Sequence, residues 1–394
     1  MGKQLMVHQG AELYGSDKIF LFVVEIFISS GHEVIAVLDS DGPLRAKLEH
    51  AGAEVIIRKL GVFRRNVISS PLRFLAFLRD FIAAVWFFSR LIARHRPSIV
   101  YVNTLAVLSP LACRMFFRDV RYIHHLHEIQ SKPKAVVAAM YNFSVFAAHE
   151  VVVVSDAVGK HLKQVSSERF RRCVISRIYN GIDRPEIEEA ERRAFIEEFD
   201  LLDRRKAGEV LIAVVGRIHP WKGQYEFLDI LSGLEAGTGK NYHALFFGDV
   251  FDGYESFREK FVAKIANLNL SEKITFCGNR NDAHILFSEC DIAVLPSIEP
   301  DPLPTVVLEA MSFGKPVIAY RMGGAVEMIV DGKTGILIEG LDASGFIARL
   351  ASLISDSSMR TRLGENALSR FEEHFALSDY QSRISALIER NISV

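Results

Sequence analysis

The feature that most constrains the fold is a regular alternation of short apolar runs, rich in β-branched residues, with longer segments of helical periodicity. Seven such runs precede residue 180 and six follow it, beginning with residues 4–8 and residues 210–215 respectively. Continuous apolar runs of this length are typical of parallel strands that helices cover on both faces. The pattern predicts an α/β chain with two doubly wound, Rossmann-like domains.

The chain length and one turn signal place the domain boundary. A chain of 394 residues is long enough for two or three domains. The stretch IYNGIDRP contains turn-forming residues and is followed by the highly charged residues 186–206. We therefore predict domains at residues 1–184 and 185–372. Residues 373–394 form a predicted amphipathic helix after the second sheet is complete.

Charge is divided unevenly between the two predicted domains. Residues 1–184 carry 25 Lys/Arg and 15 Asp/Glu, whereas the remaining residues carry 22 and 33. The overall charge of −1 therefore conceals a basic half at +10 and an acidic half at −11. A basic half favours an anionic partner such as nucleic acid, a phosphorylated substrate or a membrane surface, and a solvated charged face is the alternative.

Cysteine spacing and the first residues bear on the cellular compartment. The four cysteines are far apart and lack the spacing of a metal cluster or a disulfide framework, which favours a reducing environment. From Lys3 the sequence enters a strand-like run without the basic-then-apolar pattern of a signal peptide. We therefore expect a cytoplasmic protein.

Residues 72–94, LRFLAFLRDFIAAVWFFSRLIAR, predict a helix with an unusually wide apolar and aromatic face. Its longest charge-free stretch, residues 81–89, is far shorter than the roughly 20 residues that cross a bilayer. In a basic domain such a helix can lie in the interface of an anionic membrane, on the inner face of the cytoplasmic membrane. A core helix that contacts two neighbours is the alternative.

The first predicted strand leads into a glycine-containing turn, QGAELYGSDK. The turn lacks the G-x-G-x-x-G spacing of a dinucleotide fingerprint, which argues against a nicotinamide-dependent dehydrogenase, and no Lys directly follows Gly15 as a P-loop requires. The N terminus of the following helix, near Ser16 and Asp17, can approach a phosphate or a sugar. An ordinary tight turn capped by Ser16 is the alternative.

Two cations follow the first strand of the second half. Arg217 and Lys222, in VVGRIHPWKG, lie at the carboxyl end of that strand, where open α/β sheets bind ligands. Two positive side chains beside a helix N terminus suit a diphosphate, whose negative charge grows when the bond to its outer oxygen breaks. A surface Arg/Lys pair is the alternative.

Two carboxylates occur in the most informative stretch, residues 296–335. Asp301 is in a proline-rich loop, and Glu309 is about one turn into the helix that follows. This spacing lets the two carboxylates serve different parts of one ligand, and Glu309 can accept hydrogen bonds from a ribose diol. Helix capping by Asp301 and an ion pair for Glu309 are the alternatives.

In this order and spacing, the motifs resemble the retaining glycosyltransferases of family 4, which have the GT-B fold. The resemblance covers most of the chain and rests on VGRIHPWKG, DPLPTVVLEAM, RMGGAVEMIVDGKTGILI, FFGD, VVSDAVGKHL and IYNGID. It implies two Rossmann-like domains with a cleft between them, the acceptor on the first domain, the nucleotide sugar on the second, and a C-terminal helix at residues 373–394 that packs back on the first domain.

The resemblance also implies an activity. The expected reaction is a metal-independent transfer, with retention of anomeric configuration, from a nucleoside diphosphate sugar to a saccharide or lipid-linked saccharide acceptor. The expected setting is the synthesis of cell-surface polysaccharide or lipopolysaccharide, with no cofactor beyond the donor and no nucleic acid partner.

In the second domain, the resemblance assigns roles to five residues. Arg217 and Lys222 hold the donor diphosphate and stabilise it as the leaving group. Glu309 binds the nucleotide ribose, and Asp301 orients the transferred sugar. Arg280, in CGNRND, lies where backbone groups usually contact the base.

In the first domain, the resemblance places Gly15 near the phosphates and His127, in HHLHEI, opposite the sugar, where we assign it a hydrogen bond to a donor hydroxyl. His124, His125 and His127, together with Glu128, also look like metal ligands. Strand alternation sends His124 and His125 to opposite faces, which argues against a bound metal.

Two departures from the family pattern occur in the predicted substrate-binding segment. Asp301 stands where the first acid is usually Glu, and Leu303 and Pro304 stand where Phe-Gly is usual, just before Thr305. Proline removes a backbone N–H that can bind sugar hydroxyls. The departures leave the identity of the donor sugar open, and they make a non-catalytic sugar-nucleotide-binding subunit the alternative function.

Overall fold

The computed structural model describes residues 3–13, 15–64, 67, 69–238, 241–250 and 253–392. The chain divides into two compact units: unit 1 is Met1–Asn180 with Ser378–Val394, and unit 2 is Gly181–Leu377. Each unit contains one parallel sheet with its helices, and this confirms the predicted α/β class with two Rossmann-like domains.

Unit 1 is built on seven parallel strands in the order β3-β2-β1-β4-β5-β6-β7. The strands are β1 (Gln4–His8), β2 (Val34–Leu38), β3 (Glu54–Ile57), β4 (Ile99–Val102), β5 (Arg121–Leu126), β6 (Glu150–Val153) and β7 (Val174–Arg177). The helices between them are α1 (Gly15–Ser29), α2 (Pro43–His50), α3 (Pro71–His95), α4 (Ser109–Ala112), α5 (Lys134–Ala147) and α6 (Asp156–Val165).

The interior strand β1 is buried along its whole length because it has a strand on each side and helices above and below. Its register places Leu5 beside Ile35 of β2 and Val100 of β4. Phe88 and Ile92 of α3 belong to the same apolar cluster. Each fully buried side chain of this kind contributes about 1.5–3 kcal/mol to the free energy of unfolding.

Unit 2 is built on six parallel strands in the order β10-β9-β8-β11-β12-β13. Helices α7 (Glu189–Glu198) and α8 (Leu201–Lys206) precede the sheet. The strands are β8 (Val210–Val215), β9 (Tyr242–Phe247), β10 (Ile274–Gly278), β11 (Ile292–Leu295), β12 (Val317–Tyr320) and β13 (Gly335–Ile338). The remaining helices are α9 (Gln224–Thr238), α10 (Glu255–Asn267), α11 (Ala283–Glu289), α12 (Thr305–Ser312), α13 (Ala325–Met328), α14 (Ala343–Ser355) and α15 (Ser357–His374).

In each sheet, the direction in which the chain adds new strands reverses at one point. This point, called the sheet reversal below, positions the candidate sites. In unit 1 the chain adds strands outward from β1 and then returns to add β4 on the other side. In unit 2 the same reversal occurs between β8 and β11. Open α/β sheets bind ligands outside the carboxyl ends of the strands at such a reversal.

The last helix, α16 (Leu377–Ile392), brings the end of the chain onto unit 1. Arg390 donates to the carboxylate of Glu150, at the start of β6, and Asn391 Nδ2 donates to the same carboxylate at 2.8 Å. Burial raises the pKa of Glu150, but hydrogen bonds from Arg390, Ser176 and Asn391 more than offset this, so the pKa is below its usual range.

Each helix in the described ranges is too short or too polar to cross a membrane.

Replacing Arg390 with alanine removes the charged donor from a carboxylate whose side chain is only 5% exposed. We expect the free energy of unfolding at neutral pH to fall by about 1–3 kcal/mol. Because the pKa of Glu150 is lowered in the folded protein, its stabilising contribution is present above the ordinary Glu pKa and is lost as pH falls through the lowered value. The difference from wild type should therefore shrink in acid, as measured by urea unfolding.

Arg383→Ala is the matched control, because Arg383 pairs with Asp379 on the exposed side of the same helix, at 2.7 Å. That pair should contribute about 0.5 kcal/mol or less. Equal losses in the two variants would contradict the role given to Glu150.

Candidate functional site

In unit 2, two loops approach each other closely at the carboxyl ends of β8 and β11. The loop after β8 passes through a short 3-10 turn, Pro220–Lys222, and reaches Gly223, whose φ is 72°. A Cβ atom on Gly223 would lie 1.9 Å from the carbonyl oxygen of Pro296, in the loop after β11. Only glycine combines this φ with this close approach.

Lys222 and Asp301, predicted separately from the two loops, form an ion pair. Lys222 Nζ donates to Asp301 Oδ2, and the side chains are 21% and 11% exposed. The ammonium also lies 4.2 Å from the ring centroid of Trp221. Asp301 therefore pairs with the Lys222 ammonium. The structure does not show the alternative, in which Asp301 caps a helix.

The backbone around Asp301 is held by the loop after β12. Gly324 N donates to Asp301 O at 2.7 Å, and a Cβ atom on Gly323, whose φ is 56°, would lie 2.3 Å from the same oxygen. Leu303 is buried. These contacts fix the segment that precedes α12.

Helix α12 begins at Thr305, with Pro304 in an extended conformation at the N-cap position. Val307 N donates to Pro304 O at 3.0 Å. The helix ladder does not use the N–H groups of Thr305 and Val306, so they are available as donors at the positive end of the helix dipole. Anions bind readily at a helix start of this kind.

Two further predicted residues lie near these loops in the sequence. Glu309 is half-buried in α12, one turn after Thr305. Arg217 is half-buried in the loop after β8, and its carbonyl oxygen accepts a hydrogen bond from Gln224 Nε2 at 2.8 Å.

The Arg280 side chain is occupied within the protein. Its guanidinium donates to both carboxylate oxygens of Asp282 and of Glu198, at 2.5–2.9 Å, and lies 5.0 Å from the ring centroid of Phe199. These pairs join α7 to the loop after β10, and they raise the pKa of Arg280. The predicted contact with a base therefore depends on the backbone of this loop, not on the guanidinium.

In unit 1, four polar side chains form a network where β1, β4 and β5 end. His127 Nε2 donates to the side-chain oxygen Oδ1 of Asn103 at 2.8 Å. The backbone carbonyl oxygen of Asn103 lies 2.9 Å from His8 Nδ1. His8 Nε2 lies 2.7 Å from Asp17 Oδ1, in the first turn of α1. Gly15, the predicted phosphate-loop glycine, is the half-buried first residue of that helix.

Sequence reasoning found His127 in this network and missed His8, Asn103 and Asp17. A usable signal was present, because His8 ends a buried strand and Asn103 directly follows another. Polar residues at the carboxyl ends of neighbouring parallel strands lie at the same edge of the sheet. We applied this strand-end rule to β8 and β11. If it is also applied to β1 and β4, it selects His8 and Asn103.

The surroundings of His127 determine its charge and its tautomer. Burial, with added repulsion from His125, His8 and His124, lowers the pKa of His127 well below its usual value. The ring is therefore neutral at pH 7. Since Nε2–H donates to Asn103, the Nδ1 atom carries a lone pair and acts as an acceptor.

The neighbouring histidines point to different partners. His124 lies 2.7 Å from both Ser144 Oγ and Thr104 O, and His125 Nδ1 lies 2.5 Å from the Tyr101 hydroxyl. Among the residues that the structure describes, no group of three His, Cys, Asp or Glu side chains is placed to hold a metal ion.

Comparison with solved structures shows the same fold over nearly the whole chain. Anabaena HepE in complex with UDP-glucose has a TM-score of 0.81 at 21% identity, over 99% of this chain and 100% of that chain. WaaG, a glycosyltransferase involved in lipopolysaccharide biosynthesis, has a TM-score of 0.70 at 15% identity, over 97% and 99% of the chains.

Family models match both units. Residues 200–370 match Glycosyl transferases group 1, and residues 23–185 match Glycosyltransferase Family 4. The chain belongs to the GT-B glycosyltransferases. This confirms the glycosyltransferase family and the fold that the sequence motifs indicated, while retention of configuration stays a prediction.

Curated glycosyltransferases match over parts of their length. The D-inositol 3-phosphate glycosyltransferase of Corynebacterium efficiens is 28% identical over 47% of this chain and 44% of that protein. The lipopolysaccharide core biosynthesis mannosyltransferase LpcC of Rhizobium leguminosarum is 29% identical over 46% of this chain and 51% of that protein. The chain thus spans about half the length of these relatives.

The network around His127 predicts a ring that stays neutral, in the Nε2–H tautomer, through the range around pH 6.5 in which an ordinary histidine titrates. Long-range ¹H–¹⁵N correlation spectra should show one protonated and one unprotonated ring nitrogen, with shifts that do not move over this range. His127→Gln assigns the signals. Asn103→Ala removes the acceptor and should mix the tautomers; a His127 signal that titrates in this range would contradict the geometry.

Proposed function

We propose that the protein transfers a sugar from a nucleoside diphosphate donor to a saccharide or lipid-linked saccharide acceptor, with retention and without a metal ion. The observation that carries the proposal is the Lys222–Asp301 pair, which lies at the sheet reversal of unit 2 beside the start of α12. Membership of the GT-B glycosyltransferases supports it, and solved relatives of the same fold are complexes with UDP and UDP-glucose.

The donor half of the proposal follows from the charges in unit 2. The Lys222 ammonium and the first-turn N–H groups of α12 supply positive charge to a diphosphate, with Arg217 adding a second cation. Asp301 restricts Lys222 to one position, so little reorganisation is needed when charge develops on the leaving group. Glu309 accepts hydrogen bonds from the ribose hydroxyls.

In the proposed reaction, the bond between the anomeric carbon and the diphosphate oxygen breaks as the acceptor oxygen attacks the same face. The acceptor proton passes to the departing diphosphate oxygen, so no protein carboxylate has to form a covalent intermediate. Asp301 orients the sugar, and the lone pair on His127 Nδ1 accepts a hydrogen bond from a sugar hydroxyl. Four further contacts with substrate stay predictions, namely those of Gly15, Leu303, Pro304 and the Arg280 backbone.

For the acceptor and the location, we infer a growing or lipid-linked polysaccharide at the inner face of the cytoplasmic membrane. The +10 charge of residues 1–184 and the apolar face of α3 support this, and a relative matching about half its length is a lipopolysaccharide core mannosyltransferase. All four cysteines are free thiols, as is usual in a reducing compartment.

A non-catalytic sugar-nucleotide-binding subunit is the second candidate. The observation that favours it is Pro304 at the start of α12, because proline offers no N–H to a sugar hydroxyl.

Thermal-shift measurements with UDP-, GDP- and ADP-sugars identify the donor, because a ligand that binds the folded state raises the unfolding temperature. With that donor and a saccharide acceptor, we expect an α-linked donor to give an α-linked product, read from the anomeric proton coupling by NMR. A β-linked product would overturn retention. Tight nucleotide binding with neither transfer nor slow donor hydrolysis would favour the non-catalytic subunit.

Replacing Lys222 with alanine should lower the rate of transfer by about 10²-fold or more, because a preorganised cation is lost from the leaving group. Lys264→Ala is the matched control: Lys264 is in the same unit, its side chain is 14% exposed, and it pairs with Asp229 at 2.7 Å. We expect near-wild-type transfer in the control and folded protein in both, checked by circular dichroism. Near-wild-type turnover without Lys222 would remove the proposed mechanism.

A further inference from the structure

Helix α3 presents large apolar side chains to solvent. Of its 25 residues, three are fully buried, whereas Leu75, Ile82 and Trp86 are 60%, 65% and 59% exposed. In the turn after α4, Met115 and Phe116 are 68% and 69% exposed. Single exposed apolar residues are ordinary, but a group of this size on neighbouring elements marks an interaction surface.

An apolar groove lies between α3 and the turn after α4. It has a volume of about 580 Å³, and its walls include Ile82 and Trp86 on one side and Met115, Phe116 and Phe117 on the other. Apart from Ser89, the lining residues that the structure describes are apolar. A hydrocarbon chain is the kind of ligand that such a groove buries favourably.

A second cavity, the arginine pocket, adjoins the groove and shares Met115 with it. Its volume is about 390 Å³, and its lining combines Arg114, Arg118 and Arg172 with apolar side chains such as Phe146. The described lining residues include no Asp or Glu, and none of the three arginines forms an ion pair with a described carboxylate. The pocket therefore carries positive charge that the protein does not neutralise.

Two of these arginines are held in place. Arg114 Nη1 donates to the carbonyl oxygens of Phe146 and Ala148, at 3.0 and 2.8 Å, and the Arg172 guanidinium lies 5.2 Å from the Phe146 ring centroid. Burial, followed by repulsion from Arg114 and Arg121, lowers the pKa of His149 to about 4, which is consistent with a positive potential in the pocket.

We propose that unit 1 binds an acidic membrane phospholipid here: the arginine pocket takes the phosphate headgroup, and the adjoining groove takes the hydrocarbon chain. Guanidinium groups bind phosphate oxygens through paired hydrogen bonds. Trp86, with the Arg90 guanidinium 4.2 Å from its ring centroid, lies on the same apolar surface, as expected of a side chain at a membrane interface. The site rests on the membrane location proposed above and specifies its lipid contact, whereas its test does not depend on the proposed transfer.

The charge of the pocket distinguishes a lipid from a second copy of the chain. A twofold contact over this face buries the arginines of both molecules, and the described pocket lining contains no Asp or Glu to pair with them. An anionic membrane neutralises these arginines and covers the apolar groove in one contact.

Co-sedimentation at low salt tests the site, using vesicles of phosphatidylcholine with or without phosphatidylglycerol. We expect wild-type protein to bind only the vesicles that contain phosphatidylglycerol. The double variant Arg118→Glu/Arg172→Glu should lose at least about tenfold in affinity. Trp86→Ser/Phe116→Ser should lose a similar amount, because both side chains are more than half exposed and enter the membrane rather than the protein core.

Lys47→Glu is the control for charge reversal, since Lys47 is exposed on α2, which packs on α1, and lines neither cavity. It should bind like wild type. Brominated phosphatidylglycerol should quench the fluorescence of wild-type protein but not of Trp86→Ser.

Several results would overturn the proposal. These are binding of pure phosphatidylcholine equal to that of the acidic vesicles, full binding by either double variant, or a wild-type dimer in solution that Trp86→Ser/Phe116→Ser converts to monomer. Inorganic phosphate that competes as strongly as phosphatidylglycerol would also overturn it, because the groove would then contribute nothing. If the unfolding midpoints of all variants are close to that of Lys47→Glu, misfolding is excluded as the cause of any loss of vesicle binding.

Discussion

The contact on which the candidate site of unit 2 depends is the ion pair between Lys222 and Asp301. A lysine with a side chain only 21% exposed needs a partner, and Asp301 supplies one from the loop after the neighbouring strand. The pair forms because Gly223 and Gly323 let three loops approach at backbone distance. One interaction thus orients the cation and fixes the loop that leads into α12.

Unit 1 uses the same principle with a network of hydrogen-bonded side chains. Asn103 accepts a hydrogen bond from His127 and lies against His8, and His8 in turn meets Asp17 at the start of α1. Because His127 Nε2 donates to Asn103 Oδ1 at 2.8 Å, the ring of His127 has one orientation, and its Nδ1 atom is left as the acceptor. In both units, groups at the sheet reversal are held before any substrate is present, which lowers the cost of reorganisation.

Sequence reasoning succeeded where the signal is local and failed where it is not. The alternation of apolar runs predicted seven and six strands, and the described residues form a seven-stranded and a six-stranded sheet. The wide apolar face of α3 was also evident, but which part of it the protein covers was not. Arg280 is the plainest case, since its partner Glu198 is 82 residues away and nothing in CGNRND indicates an ion pair with α7.

The sequence by itself determined the α/β class, the positions of the strands and the residues at strand ends, because hydrophobic periodicity and turn chemistry act over a few residues. Only the tertiary structure decided which side chains meet: Lys222 with Asp301, and Glu150 with Arg390, are 79 and 240 residues apart. Such pairs depend on strand order and on the crossings between strands. The strand order and the crossings follow from packing of the whole chain, and no local sequence pattern encodes them.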